Sequence, residues 1–518
     1  MSPPRVGRRA FLESVLAASA ASVYPPTRAQ SSPATGDASS LPACAASGDV
    51  SADRAIVWAR STGASRVVVE YSTHASFARP TTVVAPPALG HADFTTRVEL
   101  AGLPAGQRIA YRVRFEALER GRPAPDPVVG SFRTPPAGLG GVSFVWGGDV
   151  AGQGWGIDVA RGGYRTFDAM RRAAPDFFIH SGDSIYADNP ILPEVTLDDG
   201  TAWRNIVTPE KGHVAETLAD FRGNHRYNLL DGPFRAFQAE VPWVVQWDDH
   251  EVLNNWYPGE THDDARYAEK DVSRLAARSR RAFLEYAPIR DGHGRGRIYR
   301  AIRYGPSLDV FVLDLRAYRG PNSAGRQTAL APAARILGAA QLRWLEDGLA
   351  ASRATWKVIA SDLPLGLSIP DGQAFEAIAN GDPGPPLGRE QEVAHLLACM
   401  AQRRVRNVVW LTADVHYAAA HHYDPDRASF RGFDPFWEFV AGPLHAGTFL
   451  PPPLDATFGP EVKYVAVPPG LKPNRPPSEG LQFFGRGSIA AGSEVLTVGL
   501  HDREGRVLWS VDLEPEAA

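Results

Sequence analysis

The chain has 518 residues and a formal net charge of −4, with 44% apolar and 22% charged residues. This composition is typical of a soluble globular protein, and it includes no basic tract that would bind nucleic acid. The two cysteines, Cys44 and Cys399, are too few for a disulfide framework or a CxxC zinc site, and the sequence leaves open whether they pair. The length indicates more than one domain.

Residues 1–30 predict a twin-arginine export signal. Arg8 and Arg9 precede an Ala-rich apolar stretch from Leu12 to Val23, and residues 27–29 resemble a cleavage site with small residues, Thr27 and Ala29, at its key positions. The apolar stretch is too short for a transmembrane helix, and no other segment has the length and apolarity to be one. A disordered basic tail is the alternative. The signal predicts a periplasmic or secreted protein that uses the twin-arginine export machinery.

Residues 31–42 are rich in Ser, Pro and Ala and predict a linker, and residues 43–135 predict an N-terminal β-domain. Its strand-like runs alternate apolar and polar residues, and Pro, Gly and Asp separate them. This spacing favours a small all-β sandwich of the fibronectin-III or immunoglobulin type. The runs are AIVWAR (55–60), SRVVVEYS (65–72), TTRVELAGL (95–103) and RIAYRVRFEA (108–117).

From residue 142 to residue 518, strand-like runs alternate with helical stretches, which predicts an α/β domain with strands buried between helices. Two long loops, 189–215 and 365–388, are rich in Pro, Gly and Asp, and loops of this length are usually binding loops or lids. The main strand-like runs are 142–148, 176–180, 243–247, 308–314, 356–361 and 407–413. The predicted helices are 167–174, a stretch within 262–288, 338–352 and 389–403.

Five of these runs are followed within three residues by a carboxylate. One aspartate after a strand is often only a helix cap, but the carboxyl ends of strands in an α/β sheet form the edge where ligands bind. Converging carboxylates need a cation between them, and oxygen and imidazole ligands suit iron(III), calcium, manganese, magnesium or zinc. The residues concerned are Asp149, Asp183 with Tyr186, Asp248-Asp249-His250-Glu251, Asp362, and Asp414 with His416.

The order of these motifs resembles the calcineurin-like metallophosphoesterase pattern, and in particular its PhoD-like alkaline phosphatase/phosphodiesterase group. The similar phrases are HSGDSIYAD (180–188), WDDHEVLNNW (247–256) and LTADVHYAA (411–419). The resemblance covers nearly all of the chain after the signal. It implies an α/β metallophosphoesterase sheet sandwich flanked by helices, preceded by the small β-domain.

The resemblance also implies roles for the single residues. Asp183 would bridge two metals, Tyr186 would bind iron(III), and His250 would stabilise the phosphate or protonate the leaving oxygen. The metal ligands implied are Asp149, Asp183, Tyr186 and His416 for iron(III), and Asp249, Asp362 and Asp414 for calcium. The family commonly carries Cys where this chain has Asp149, so zinc, manganese and magnesium remain alternatives. Asp362 as a turn residue and Tyr186 as a packed aromatic are the alternatives from the residues alone.

The function that follows is hydrolysis of phosphate mono- and/or diesters by attack of a metal-bound hydroxide. A phospholipase-D-like or phosphotriester hydrolase is the alternative on the same site, and a non-catalytic surface binding protein is another. Arg316 and Arg319 are predicted to form salt bridges, and phosphate binding is the alternative. Glu251 is predicted to be a structural partner of His250 rather than a ligand. His445 is a candidate for lining the pocket. The chain is expected to be monomeric.

Overall fold

The computed structural model describes residues 41–290 and 296–516. The predicted export signal and most of the predicted linker lie outside the described residues. No helix within the described ranges is long and apolar enough to cross a membrane.

The described residues form 24 strands and six α-helices. The strands of the N-terminal segment are β1 (Cys44–Gly48), β2 (Arg54–Arg60), β3 (Ser65–Ser72), β4 (Thr81–Ala88), β5 (Thr95–Ala101), β6 (Arg108–Ala117) and β7 (Val128–Arg133). The strands that follow are β8 (Val142–Gly147), β9 (Phe177–Ser181), β10 (Glu194–Thr196), β11 (Ala202–Arg204), β12 (Trp243–Gln246), β13 (Arg300–Tyr304), β14 (Leu308–Val312) and β15 (Trp356–Ala360).

The remaining strands are β16 (Pro370–Asp371), β17 (Ala374–Phe375), β18 (Val408–Thr412), β19 (Ala419–Tyr423), β20 (Phe436–Val440), β21 (Pro460–Val465), β22 (Phe483–Ile489), β23 (Leu496–Asp502) and β24 (Val507–Leu513). The helices are α1 (Arg165–Arg172), α2 (Leu218–Asn228), α3 (Gly232–Glu240), α4 (Val272–Tyr286), α5 (Gly338–Ala351) and α6 (Glu390–Gln402).

Two large sheets form the body of the protein. The first has the order β24-β23-β22-β8-β9-β12-β1-β2-β5, and the second has the order β13-β14-β15-β18-β20-β19-β21. Side chains alternate along each strand, so Phe144 and Val358 lie in the core that includes residues of both sheets, whereas Val145 and Ile359 face outward. Helices α1 to α4 cover the outside of the first sheet, and helices α5 and α6 cover the outside of the second.

The N-terminal strands are continuous with the first sheet. Strand β1 pairs in parallel with β12 through Gly48 and Trp243, and β2 and β5 extend the sheet beyond β1. The strands meet so closely at Gly48 that a Cβ atom there would lie 2.6 Å from the Trp243 carbonyl oxygen. Strands β4, β3, β6 and β7 form a separate four-stranded sheet, whose buried side chains join the same core.

The predicted fold class is confirmed, with a helix-flanked sheet sandwich and an N-terminal β segment. The domain limits at 43–135 and 142–518 stay predictions. The two long loops carry short hairpins, β10-β11 within 189–215 and β16-β17 within 365–388. Cys44 and Cys399 are not bonded to each other.

Candidate active site

The carboxyl ends of parallel strands from both sheets meet at one edge of the sandwich. Strands β8, β9 and β12 run parallel in the first sheet, and β15 and β18 run parallel in the second. Each of these five strands is followed within three residues by a buried or half-buried aspartate. These aspartates are Asp149, Asp183, Asp249, Asp362 and Asp414.

Three groups of side chains in the described part of the chain place possible ligand atoms within 4.8 Å of one another. Asp183 belongs to two of the groups, and Asp249 also belongs to two. A carboxylate shared by neighbouring groups has the position of a ligand that bridges two cations. The groups are Asp149, Asp183 and His416; Asp183, Asp249 and His250; and Asp248, Asp249 and Asp414.

Several carboxylate oxygens of this cluster have no hydrogen-bond donor as a partner within the described ranges, and a metal ion would be a partner for them. Both oxygens of Asp149 and of Asp362, together with Asp183 Oδ2 and Asp248 Oδ2, are buried and accept no hydrogen bond from the described residues. A buried charge without a partner is costly. Burial, followed by repulsion from the neighbouring carboxylates, raises the pKa of Asp149 and of Asp183 well above its usual value. Cations among these oxygens would relieve both penalties.

His416 has the tautomer of a metal ligand. Its Nδ1 lies 2.5 Å from the Gly447 carbonyl oxygen, which can only accept, so Nδ1 carries the proton. Its Nε2 is therefore free to bind a cation, and it lies 3.7 Å from Asp149 Oδ1 and 2.8 Å from the Tyr186 hydroxyl oxygen. Burial lowers the pKa of His416 to about 4, which keeps the imidazole neutral. The Tyr186 hydroxyl group thus lies beside the first ligand group, and its role as a metal ligand stays a prediction.

The backbone of this site is held in an uncommon conformation. Asp149, Asp183, Asp414 and His416 have φ values of 68°, 51°, 66° and 60°, in the left-handed region that non-glycine residues rarely adopt. Gly182 also has a positive φ, and a Cβ atom there would lie 2.5 Å from Cβ of Asp248. The strand ends therefore turn sharply, and the turns direct the carboxylates toward one another.

His250 is held by a carboxylate that the sequence analysis missed. Its Nδ1 donates a hydrogen bond to Asp188 Oδ1 at 2.8 Å, and the other Asp188 oxygen accepts from the Asn254 backbone at 2.9 Å. Burial lowers the pKa of His250, but Asp188 and Asp249 outweigh it and raise the pKa to about 10. The imidazole also stacks on Tyr186, with ring centroids 4.2 Å apart. In the metal-free fold, His250 is therefore a protonated and oriented member of the second ligand group.

Glu251 has a structural role, but it supports the backbone that carries the ligands rather than the predicted partner, His250. Its carboxylate accepts from the backbone nitrogens of Asp183, Ser184 and Asp248 at 3.2, 2.6 and 2.8 Å. Burial is the main cause that raises the pKa of Glu251 to about 7. Glu251 ties the turn after β9 to the turn after β12.

Arg316 lies inside the carboxylate cluster. Its Nε donates to Asp248 Oδ1 at 2.5 Å and lies 3.8 Å from Asp362 Oδ2, and its Nη1 contacts Glu376. The side chain has no exposed surface, so the salt-bridge interpretation of Arg316 holds. Asp362 belongs to none of the three ligand groups among the described residues, and the guanidinium group is its nearest cationic partner. The Arg316 charge balances the side of the cluster that Asp362 and Asp248 form.

The structure thus brings the predicted residues to one edge of the sandwich. It also places there residues that were not predicted to belong to the site. Asp248, which is not among the ligands that the family resemblance implied, lies in the third group and also contacts Arg316. Asp188 lies within the HSGDSIYAD phrase and was within reach of the sequence analysis. Glu376 comes from the Pro- and Gly-rich loop, where no pattern indicated it. His445 does not reach the ligand groups, and it lines a separate cavity.

Removal of metal is expected to destabilise the protein more at high pH than at low pH. The pKa values of Asp149, Asp183 and Asp414 are raised in the metal-free fold, so the folded chain binds more protons than the unfolded chain. The stability that these protonated groups contribute is present below their unfolded pKa values and is lost as the pH rises toward the folded values.

The test is thermal unfolding at several pH values, with and without a chelator. We expect the chelator to lower Tm more at pH 8 than at pH 5, and a ligand present at about 100 times its Kd contributes about 2.7 kcal/mol. An identical Tm with and without chelator at pH 8 would contradict the assignment of this cluster as a metal site.

Comparison with solved structures shows which fold this is. The structure of PhoD is similar with a TM-score of 0.65 and 18% identity, and the similarity covers 94% of each chain. The structure of purple acid phosphatase PPD1 from yellow lupin (Lupinus luteus) seeds is similar with a TM-score of 0.54 and 11% identity, over 92% of this chain and 74% of that chain. The protein therefore has the sheet sandwich of these two phosphatases.

Sequence comparison then gives the family. The PhoD-like phosphatase model matches residues 144–500, and the model of the PhoD-like phosphatase N-terminal domain matches residues 27–136. The chain belongs to the PhoD-like phosphatase family. Alkaline phosphatase D of Bacillus subtilis (strain 168) is 31% identical over 301 residues, which are 55% of this chain and 49% of that protein. The match therefore spans about half the length of this relative.

Proposed function

We propose that the protein is an exported, metal-dependent phosphoesterase that hydrolyses phosphate mono- and/or diesters. The observation that carries the proposal is the position of Asp183, whose carboxylate belongs to two adjacent ligand groups. Cations bound there would neutralise phosphoryl oxygens and lower the pKa of a water molecule. Export rests on Arg8 and Arg9 of the predicted signal, and a monomer is the expected state.

The donors favour a different metal at each end of the cluster. Asp149, Asp183, Tyr186 and His416 would hold iron(III), because a phenol oxygen and an imidazole lie together there. The other end offers carboxylate oxygens, from Asp183, Asp249 and Asp414 with Asp248 and Asp362 nearby, which suits calcium. Elemental analysis of the purified protein tests this. One iron with calcium supports the proposal, and two zinc or manganese ions per chain would replace it.

In the proposed reaction, His250 gives its proton to the leaving oxygen, and Asp188 keeps the imidazole protonated and oriented. Proton donation by a positioned side chain contributes typically about 10²–10⁴-fold to the rate. It matters most when the leaving group is a poor one. An alkoxide needs the proton, whereas p-nitrophenolate is stable without it.

The test compares His250→Asn with wild type on p-nitrophenyl phosphate and on an alkyl phosphate such as glycerol phosphate. We expect a loss of roughly 10²–10⁴-fold on the alkyl ester and a clearly smaller loss on the aryl ester. His213→Asn is the matched control, because His213 is exposed and its contacts, with the Val214 carbonyl oxygen at 2.8 Å and with Asp220 at 3.8 Å, lie outside the ligand groups. Equal losses on both substrates would assign His250 to binding the phosphoryl group instead.

A further inference from the structure

The cavity that His445 lines lies apart from the ligand groups, and arginines form part of its lining. Its volume is about 190 Å³, well above the roughly 10–15 Å³ that one water molecule requires. We call it the arginine cavity, and it is lined by Arg161, Arg165, Trp203, His445, Ser478 and Arg503 together with four other residues. None of its lining residues is an aspartate or a glutamate.

The three guanidinium groups are fixed by contacts around the cavity. Arg161 donates to Thr201 Oγ1 at 3.0 Å and lies 3.5 Å from Asp158 Oδ2. Arg165 and Arg503 share one carboxylate, Glu504, whose Oε1 lies 3.2 Å from Arg165 and 2.8 Å from Arg503.

Asp158 and Glu504 therefore pair with the three guanidinium groups of the lining. Arg506 also contacts Glu504, at 3.7 Å, but its own partner is Asp502 at 2.7 Å, so one positive charge remains in excess. Burial lowers the pKa of His445 to about 4, so His445 stays neutral and does not change this balance. Ser478 adds a hydroxyl group to the lining. Each guanidinium carries five N–H donors in a planar fork, which matches the oxygens of phosphate.

We propose that the arginine cavity binds a phosphate group. The group is either inorganic phosphate or the phosphate of an organic ester, and the volume admits both. The Arg165 side chain is 48% exposed, so the cavity is accessible from solvent. The proposal does not depend on the proposed reaction, because none of the residues that line the cavity belongs to the ligand groups.

The cavity and the ligand groups share one segment of backbone. His445 lines the cavity, its backbone nitrogen donates to the Asp149 carbonyl oxygen at 2.9 Å, and its carbonyl oxygen accepts from Ala151 at 2.8 Å. Thr166, at the start of α1, also lines the cavity and donates to the Leu444 carbonyl oxygen at 2.8 Å. A phosphate in the cavity would thus contact a segment that is hydrogen-bonded to the backbone of Asp149.

Calorimetric titration of the metal-loaded full chain with inorganic phosphate tests the proposal. We expect two binding events in the wild type, one at the metal site and one in the arginine cavity. Arg161→Gln with Arg165→Gln should weaken the second event by at least about tenfold for each guanidinium removed and leave the first intact. Asp183→Asn should weaken the first event, at the metal site, and leave the second event, in the arginine cavity, intact. Arg274→Gln is the control, because Arg274 is 68% exposed, pairs with Glu269 and Asp271, and does not line the cavity.

Ser478→Asp is a second variant that does not remove packing. It places a carboxylate among the three guanidinium groups, so it should abolish the second event and raise Tm.

Phenylphosphonate separates the two sources of phosphate. If phenylphosphonate binds the arginine cavity more tightly than inorganic phosphate does, the ligand is the phosphate of an organic ester. If it binds more weakly, the ligand is inorganic phosphate. Unchanged phosphate binding in both the double glutamine variant and Ser478→Asp would overturn the proposal.

Discussion

Asp183→Asn is expected to abolish turnover of p-nitrophenyl phosphate and of its diester while the fold persists. Asp183 contributes to two ligand groups at once, and an amide supplies neither the charge nor the second oxygen that a bridging ligand needs. Loss of an outer partner of a metal ligand already costs roughly 10–100-fold, so loss of a shared ligand should exceed that range. Steady-state kinetics and metal analysis of the variant measure both effects.

The control for this variant is Asp347→Asn. Asp347 lies on α5, its side chain is 76% exposed, and it contacts Arg403 at the surface, so activity should match the wild type. A folded Asp183→Asn protein with wild-type kcat/KM would refute the site. A folded variant that binds its metals normally but turns over slowly would limit the role of Asp183 to the reaction step.

Arg316→Met is expected to be the most destabilising single change in the metal-free protein. Arg316 is completely buried, and it is the cation closest to Asp248 and Glu376. Removal of one partner from a buried ion pair leaves an uncompensated charge and typically costs about 3–5 kcal/mol of unfolding free energy. Urea denaturation with a chelator present measures this loss, and saturating metal should restore part of it.

Two further variants sharpen this test. Arg316→Lys keeps the charge but loses the planar fork, so its loss of unfolding free energy should be intermediate. Arg343→Met changes an exposed arginine on α5 and should stay within about 0.5 kcal/mol of the wild type. If Arg316→Met unfolds at the wild-type urea concentration, the carboxylates around it are already protonated and Arg316 does not balance their charge.

The sequence was most informative where the determinants are local. An apolar run followed by an aspartate predicts both a strand and its end, and β8, β9 and β18 lie within two residues of the predicted runs. Helices α5 and α6 were likewise predicted within one residue at each end, because their apolar periodicity is continuous. The family resemblance, now confirmed, supplied the order in which the strand-end motifs belong together.

Contacts between distant parts of the chain were not predictable in the same way. Asp188 and His250 pair across a sequence separation of 62 residues, and no periodicity encodes that contact. Glu376 reaches Arg316 from a loop whose composition indicates only irregular backbone. The position of Glu251 depends on two turns that fold back on each other, so its chemistry alone suggested the wrong partner. Such residues become visible only when the strands are assembled.

The parallel pairing of β1 with β12 bears on how the protein acquires its structure. Strand β1 emerges early from the ribosome, yet its neighbour in the sheet begins at Trp243. Until that residue is synthesised, β1, β2 and β5 form a short ladder with one unsatisfied edge, and contacts of such large sequence separation form slowly. Strand β1 therefore gains its neighbour only when the middle of the chain has been synthesised, and the ligand cluster is completed later still, because Asp414 and His416 follow β18.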